Sequence, residues 1–216
     1  MEHQRESRFE AQSWLARFGG SADREWGDRP PALAEPAAVF QPYIQEMLRN
    51  MPPGFPVRLP SKILVEGNYI LLNGEAATLP LKVEVYASQT PLSLVVSLLS
   101  CDSAQTRSPC VFGTVTTDRS SAPHAQQELS RHRKQGDRIT FRPGVQGYLI
   151  DSARSRSKSP SKFSSVSWQQ DNAIYTLSFP ATSERQDLID MAASMALSPP
   201  VRAQLPPSIP ASTIRR

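Results

Sequence analysis

The sequence predicts an α+β domain: a mainly antiparallel sheet with flanking helices and proline-rich tails. Three observations predict it. Apolar and polar residues alternate through residues 164–180, with Val166, Trp168, Ile174, Tyr175, Leu177 and Phe179 as the apolar members around Gln169-Gln170-Asp171-Asn172. Alternation on both sides of such a turn is the pattern of a hairpin. The segment ERQDLIDMAASMA at residues 184–196 follows, with apolar positions at helical spacing. Finally, the 20 prolines among 216 residues are clustered, and proline fits neither a helix interior nor a central strand, so the ordered part is smaller than the chain.

Taken in order, residues 1–54 read as an N-terminal extension, partly helical or disordered. A helix-compatible piece at residues 8–18 carries Phe9, Trp14, Leu15 and Phe18, and Gly19-Gly20, Pro30, Pro31 and Pro36 follow it. Residues 40–51 (FQPYIQEMLRNM) place Tyr43, Ile44, Met47, Leu48 and Met51 at helical spacing, with Pro42 tolerable in the first turn. They predict a helix leading into the domain.

Residues 55–197 read as the single α+β domain. Extended segments are expected at 57–65 and 81–86, and stronger strands at 92–99 (LSLVVSLL) and 110–117 (CVFGTVTT), which are rich in β-branched residues. A polar helix over 122–135 is expected to be capped by Ser121, opened by Pro123 and ended by Gly136. Strands at 139–141 and 148–150 precede the hairpin, and Ser183 is the expected cap of the last helix, with Glu184, Asp187 and Asp190 facing solvent near its start. Five prolines at 198–216 mark a disordered or extended tail. A hydrophobic content of 39% is enough for one sizeable core, and no internal repeat is present.

The strand ending GYLID, the hairpin SVSWQQDNAIYTLSF and the helix ERQDLIDMAASMA together resemble the C-terminal part of a bacterial domain of unknown function. That domain occurs in membrane-anchored, anti-sigma-like and sporulation-associated proteins, and its relatives look like the lipoprotein-carrier group. The chain is also similar to uncharacterised cyanobacterial proteins with the same strand, tryptophan hairpin and helix. The resemblance covers residues 144–196 and rests on packing positions: Trp168, Tyr175, Leu188, Ile189 and Met195. It implies fold, and a noncatalytic interaction or sensor role.

Members of that group usually sit behind a signal peptide or anchor. The opening MEHQRESRFEAQSWLARF has scattered charges and no apolar stretch of signal-peptide length, and no run reaches a membrane span. A cytoplasmic location is therefore expected. Cys101 and Cys110 pull the other way, because they end one expected strand and begin the next around DSAQTRSP. A disulfide there would contribute roughly 2 to 3 kcal/mol and imply an extracytoplasmic protein; two thiols in a reducing compartment are the alternative.

Catalytic signatures are missing from the sequence. There is no G-x-S-x-G elbow, phosphate loop or H-E-x-x-H, and the only histidines are His3, His124 and His132. His124 and His132 are expected to be solvated on the polar helix rather than metal ligands, and Cys101 and Cys110 are too far apart for a C-x-x-C site. No enzyme activity, cofactor or metal is expected. The net charge of +4 permits an anionic partner. The serine-rich loop at 152–162 gathers Arg154, Arg156, Lys158 and Lys162, a candidate contact for nucleic acid or an anionic surface if it is more than a solvated, mobile connection. It lacks an aromatic residue on which a base could stack. The leading expectation is a domain that binds a protein, a peptide or an apolar ligand.

Overall fold

A computed structural model describes residues 35–63, 69–72, 75–78, 81–100, 111–155 and 160–201. The chain divides into two compact units, Met1–Ala32 and Leu33–Arg216, and every described residue belongs to the second. The expected helix at 8–18, the two cysteines, Arg156, Lys158 and most of the tail lie outside the described residues.

The α+β class is as expected. A 3-10 turn, Ala38–Tyr43, runs into helix α1, Ile44–Asn50. Strands β1, Tyr69–Leu72, and β2, Glu75–Thr78, pair antiparallel as a separate hairpin. The main sheet takes β3, Lys82–Gln89, β4, Leu92–Leu99, and β5, Val111–Arg119. After helix α2, Pro123–Gln135, come β6, Asp137–Arg142, β7, Val145–Ile150, β8, Phe163–Gln170, and β9, Ala173–Pro180. Helix α3, Arg185–Leu197, closes the domain. The seven strands are ordered β3-β4-β5-β9-β8-β7-β6, and every pair is antiparallel.

The register explains why the two faces differ. Directly opposed residues share a face, so Leu149, Val166, Leu177, Val115, Val96 and Val85 form one apolar row across six strands. Gly147, Trp168, Tyr175, Thr117, Leu94 and Ala87 form the next. This face packs against α3 through Leu188, Met191, Ala192 and Met195, and against Phe40, Met47 and Met51 from the N-terminal helical segment. The opposite face carries Ile150, Ser165, Ser178, Thr114 and Ser97 in one row. Small hydroxylated residues let α2 lie on it, seated through Ala122, Ala125 and Leu129 on Ile174 and Tyr148.

The aromatic core centres on Trp168, which is fully buried. It stacks on Tyr175 with centroids 5.2 Å apart and meets Phe141 edge-on at 5.5 Å. Room for Phe141 comes from Gly147, where a Cβ would lie 2.7 Å from the ring. Gly113 does the same for Phe179, which also meets Phe112 edge-on at 5.7 Å. The β8–β9 turn is tighter than the sequence suggested. Only Asp171 and Asn172 form it, with φ of 52° and 59°, the left-handed pair of a two-residue hairpin.

Several expectations are corrected. Ser121 does not cap α2: Ala122 stands at its N-cap, and Pro123, having no N–H to satisfy, opens the helix. Ser183 does not cap α3 either; Glu184 occupies the N-cap without a side-chain bond, and the buried Ser183 hydroxyl has no partner among the described residues. Residues 57–63 are extended but join no ladder, since Pro56 and Pro60 lack the N–H that pairing needs. They are held instead by Ala37 N–H donating to Pro60 O, at 2.9 Å, and Val201 N–H donating to Val57 O, at 2.8 Å. The core accordingly reaches past residues 55–197 at both ends, from Phe40 to Val201.

Candidate functional site

The most site-like apolar feature lies where the two ends of the domain meet. Leu48 comes from α1 and Met51 from the residue that ends it, residues 52–56 follow, and Pro200 and Val201 complete the lining of a half-open cleft of about 560 Å³. Four of its nine lining residues are prolines, Pro52, Pro53, Pro56 and Pro200, so much of its backbone has no donor to offer. Two proline carbonyls are already engaged. Pro52 O accepts from Phe55 N–H at 3.1 Å, and Pro56 O accepts the Tyr175 hydroxyl at 2.9 Å. Burial of that phenol raises its pKa well above the ordinary value, so it stays a donor. The cleft therefore presents hydrocarbon with few polar handles.

Two residues beyond Pro56, outside the lining of the cleft, a buried arginine joins three segments. Arg58, 5% exposed, donates from Nε and Nη2 to Asp171 Oδ2, at 3.1 and 2.6 Å, and from Nη1 to Met195 O at 3.1 Å. One guanidinium thus ties the segment below α1 to the β8–β9 turn and to the last turn of α3. Ser61 N–H donates to Ser194 Oγ at 3.1 Å, adding a second tie to α3.

Polar α2 hides a buried group. His132 was expected in solvent but is fully buried, facing the sheet: Nε2 lies 2.8 Å from Ser165 Oγ, and Nδ1 lies 3.0 Å from Glu128 O and 3.3 Å from Glu128 Oε1. Burial pushes its pKa below the ordinary value. Burial also pulls the Glu128 carboxyl upward, but Arg131 and His132 outweigh it and hold that carboxyl below the usual range. The order Ser165, His132, Glu128 imitates a nucleophile, a base and an orienting acid. Ser165 is 7% exposed, beneath the helix, and His132 is 0% exposed, whereas the Glu128 side chain is 38% exposed; the contact of His132 with Ser165 ties α2 to β8. His124, by contrast, is exposed and lies 3.1 Å from Asp118 Oδ1. Among the described residues no three metal-ligating side chains converge.

The basic loop is partly anchored. Ser152 to Arg154 form a 3-10 turn capped by Asp151, whose Oδ1 accepts from Ala153 N–H at 3.1 Å. Ser152 is buried, donating its hydroxyl to Phe163 O and its N–H to Ser164 Oγ. The expectation of a mobile connection therefore fails at its first residues, because serine hydroxyls replace the missing apolar anchor. Arg154 is 75% exposed and lies 3.5 Å from Asp151, while Lys162 is exposed. Arg156 and Lys158, the other two members of the predicted basic set, lie outside the described residues.

No protein-family model matches this chain, none of the curated proteins compared with it matches, and no solved structure matches it. Among the described residues, no helix is long and apolar enough to cross a membrane.

Proposed function

We propose that this protein is a noncatalytic interaction module whose apolar cleft takes an extended peptide bearing bulky aliphatic or aromatic side chains. The supporting observation is the cleft itself, with Met51, Phe55, Leu48 and Val201 set among four prolines. Each apolar side chain buried there gains about 1.5 to 3 kcal/mol, and a donor-poor surface favours hydrocarbon over polar ligands. The peptide form follows from the neighbouring chain. The segment ending at Val201 lies extended along the cleft and is held by one backbone hydrogen bond to Val57, a mode that a further extended strand can copy. The burial of Ser165 and His132 beneath α2 supports a binding role over hydrolysis.

The test is fluorescence anisotropy with labelled short peptides carrying leucine or phenylalanine at alternate positions, against serine-substituted counterparts. Apolar peptides should bind with little dependence on salt. Pro53→Asp, at the exposed rim, should weaken them by about tenfold or more with an unchanged thermal midpoint. Equal binding of the serine peptides, or wild-type binding by the variant, overturns the assignment.

A further inference from the structure

A second cleft, far more polar, lies on the α2 side of the sheet. It has a volume of about 420 Å³, and its lining includes Arg133, Gln146, Tyr148, Gln169, Asp171 and Asn172. Its chemistry comes from three different elements. Arg133 projects from α2 with its guanidinium carbon 5.9 Å from the Tyr148 ring centroid. Gln146 and Tyr148 are alternate residues of β7, and Gln169 belongs to the end of β8. Arg138 of β6 lies directly opposite Tyr148, so its side chain leaves the same face of the sheet. Arg138 thus neighbours Tyr148 across the strand pair, beside the residues that line the cleft.

Neither Arg133 nor Arg138 has a carboxylate partner among the described residues, whereas Arg58, Arg131, Arg154 and Arg185 all do. Asp171, the acid in the lining, is already held by two N–H groups of Arg58. The positive charge free of a carboxylate here is that of Arg133 in the lining, with Arg138 on the same face of the sheet beside it. The cleft's amides at Gln146, Gln169 and Asn172 each offer both a donor and an acceptor, and each side chain lacks a hydrogen-bond partner among the described residues.

From this arrangement we infer that the cleft binds an acidic oligosaccharide, a polyhydroxylated chain carrying carboxylate or sulfate groups. A sugar hydroxyl donates and accepts at once, which is what an amide side chain complements. A guanidinium, with its planar fork of donors, complements an oxyanion. Single-stranded nucleic acid, the form that poly(U) represents, would call for an open aromatic face on which bases stack. Tyr148 does not supply one: Arg133 stands over its ring, and the side chain packs against the α2 cluster of Ala122, Ala125, Leu129 and Ile174.

The experiment is calorimetric titration of the full chain with three probes of matched length: an oligogalacturonate, a heparin-derived sulfated oligosaccharide and a neutral glucan. Poly(U) is the fourth. At least one acidic oligosaccharide should bind about tenfold or more tightly than the glucan, and which one binds identifies the oxyanion. The R133Q/R138Q variant should lose about tenfold or more in affinity, and Q146A/Q169A should also weaken binding, both with wild-type thermal midpoints. R154S/K162S should bind as wild type. Tighter binding of poly(U), equal binding of the neutral glucan, or wild-type affinity in either cleft variant overturns the proposal. So does loss of binding confined to R154S/K162S.

Discussion

Gly113→Ala tests the packing of the sheet's apolar face at its tightest point. A Cβ built on Gly113 would lie 2.6, 2.8 and 2.9 Å from three atoms of the Phe179 ring, about 1 Å inside the 3.5 to 4.0 Å optimum for carbon contacts. The ring has little freedom to retreat, being fully buried and edge-on to Phe112. Overpacking of this kind costs about 1 to 3 kcal/mol. Replacing glycine also restricts the unfolded chain, which returns about 0.4 to 1 kcal/mol. The net expectation is a loss of about 1 to 2 kcal/mol, read as a lower urea midpoint with an unchanged slope. Phe179→Leu removes the obstructing ring, so in its background Gly113→Ala should cost little, and the double-mutant cycle should show coupling of about 1 kcal/mol or more. A Gly113→Ala protein as stable as wild type, or additive effects in the cycle, would refute the contact.

Other parts of the fold make equally direct predictions. Trp168→Ala should lower stability by about 3 to 5 kcal/mol in urea unfolding, because its ring is fully buried against Tyr175 and Phe141; a loss below about 1 kcal/mol would place the ring elsewhere. At the β8–β9 turn, Asp171→Asn should cost less than Asp171→Ala in thermal melts. Asparagine tolerates the positive φ and keeps an oxygen for Arg58, whereas alanine does neither; the reverse order would contradict the turn. Because burial lowers the pKa of His132, the unfolded chain takes up that proton first. The contribution is therefore present above pH about 6.5 and is lost as pH falls through the depressed folded value. The urea midpoint should drop between pH 7.5 and pH 5, about where an ordinary histidine gains its charge. The drop should be smaller in His132→Gln, and an equal drop in the variant would assign it to other groups.

Much of the architecture was legible where local pattern and tertiary demand agree. The apolar run LSLVVSLL became β4 with the expected bounds, Leu92–Leu99, since a strand paired on both sides needs what those β-branched residues supply. The alternation around Trp168 and Tyr175 likewise gave the central hairpin. Less legible were features set by distant partners. His132 completes a helical stripe with Ala125 and Leu129, a spacing present in the sequence. That the stripe could be buried depended on Ser165 and Ser167 lying opposite, small enough to admit it. The β1–β2 hairpin had a sequence signal in Asn73-Gly74, a favoured hairpin dipeptide, that composition alone obscured. The apolar cleft was hidden for a different reason. Its walls are contributed by Leu48 and by Val201, and no local periodicity relates positions so far apart.

The strand order has a consequence for how the molecule assembles. Every neighbouring pair in the main sheet is consecutive in sequence except β5 and β9, which meet from Thr114 opposite Ser178 to Arg119 opposite Ala173. One meander, β3 to β5, and another, β6 to β9, can each form through short-range closures. The seam between them must bring together segments separated by α2 and three strands, at a greater loop-closure cost. The second meander carries helices for both of its faces, α2 and α3, and can bury apolar surface at once. The first contributes a row of valines and leucines, and its outer strand β3 meets the N-terminal helical segment. Joining at β5 and β9 is thus the slow, cooperative event, and a chain halted before it would present β9 as an open edge beside the Trp168 core.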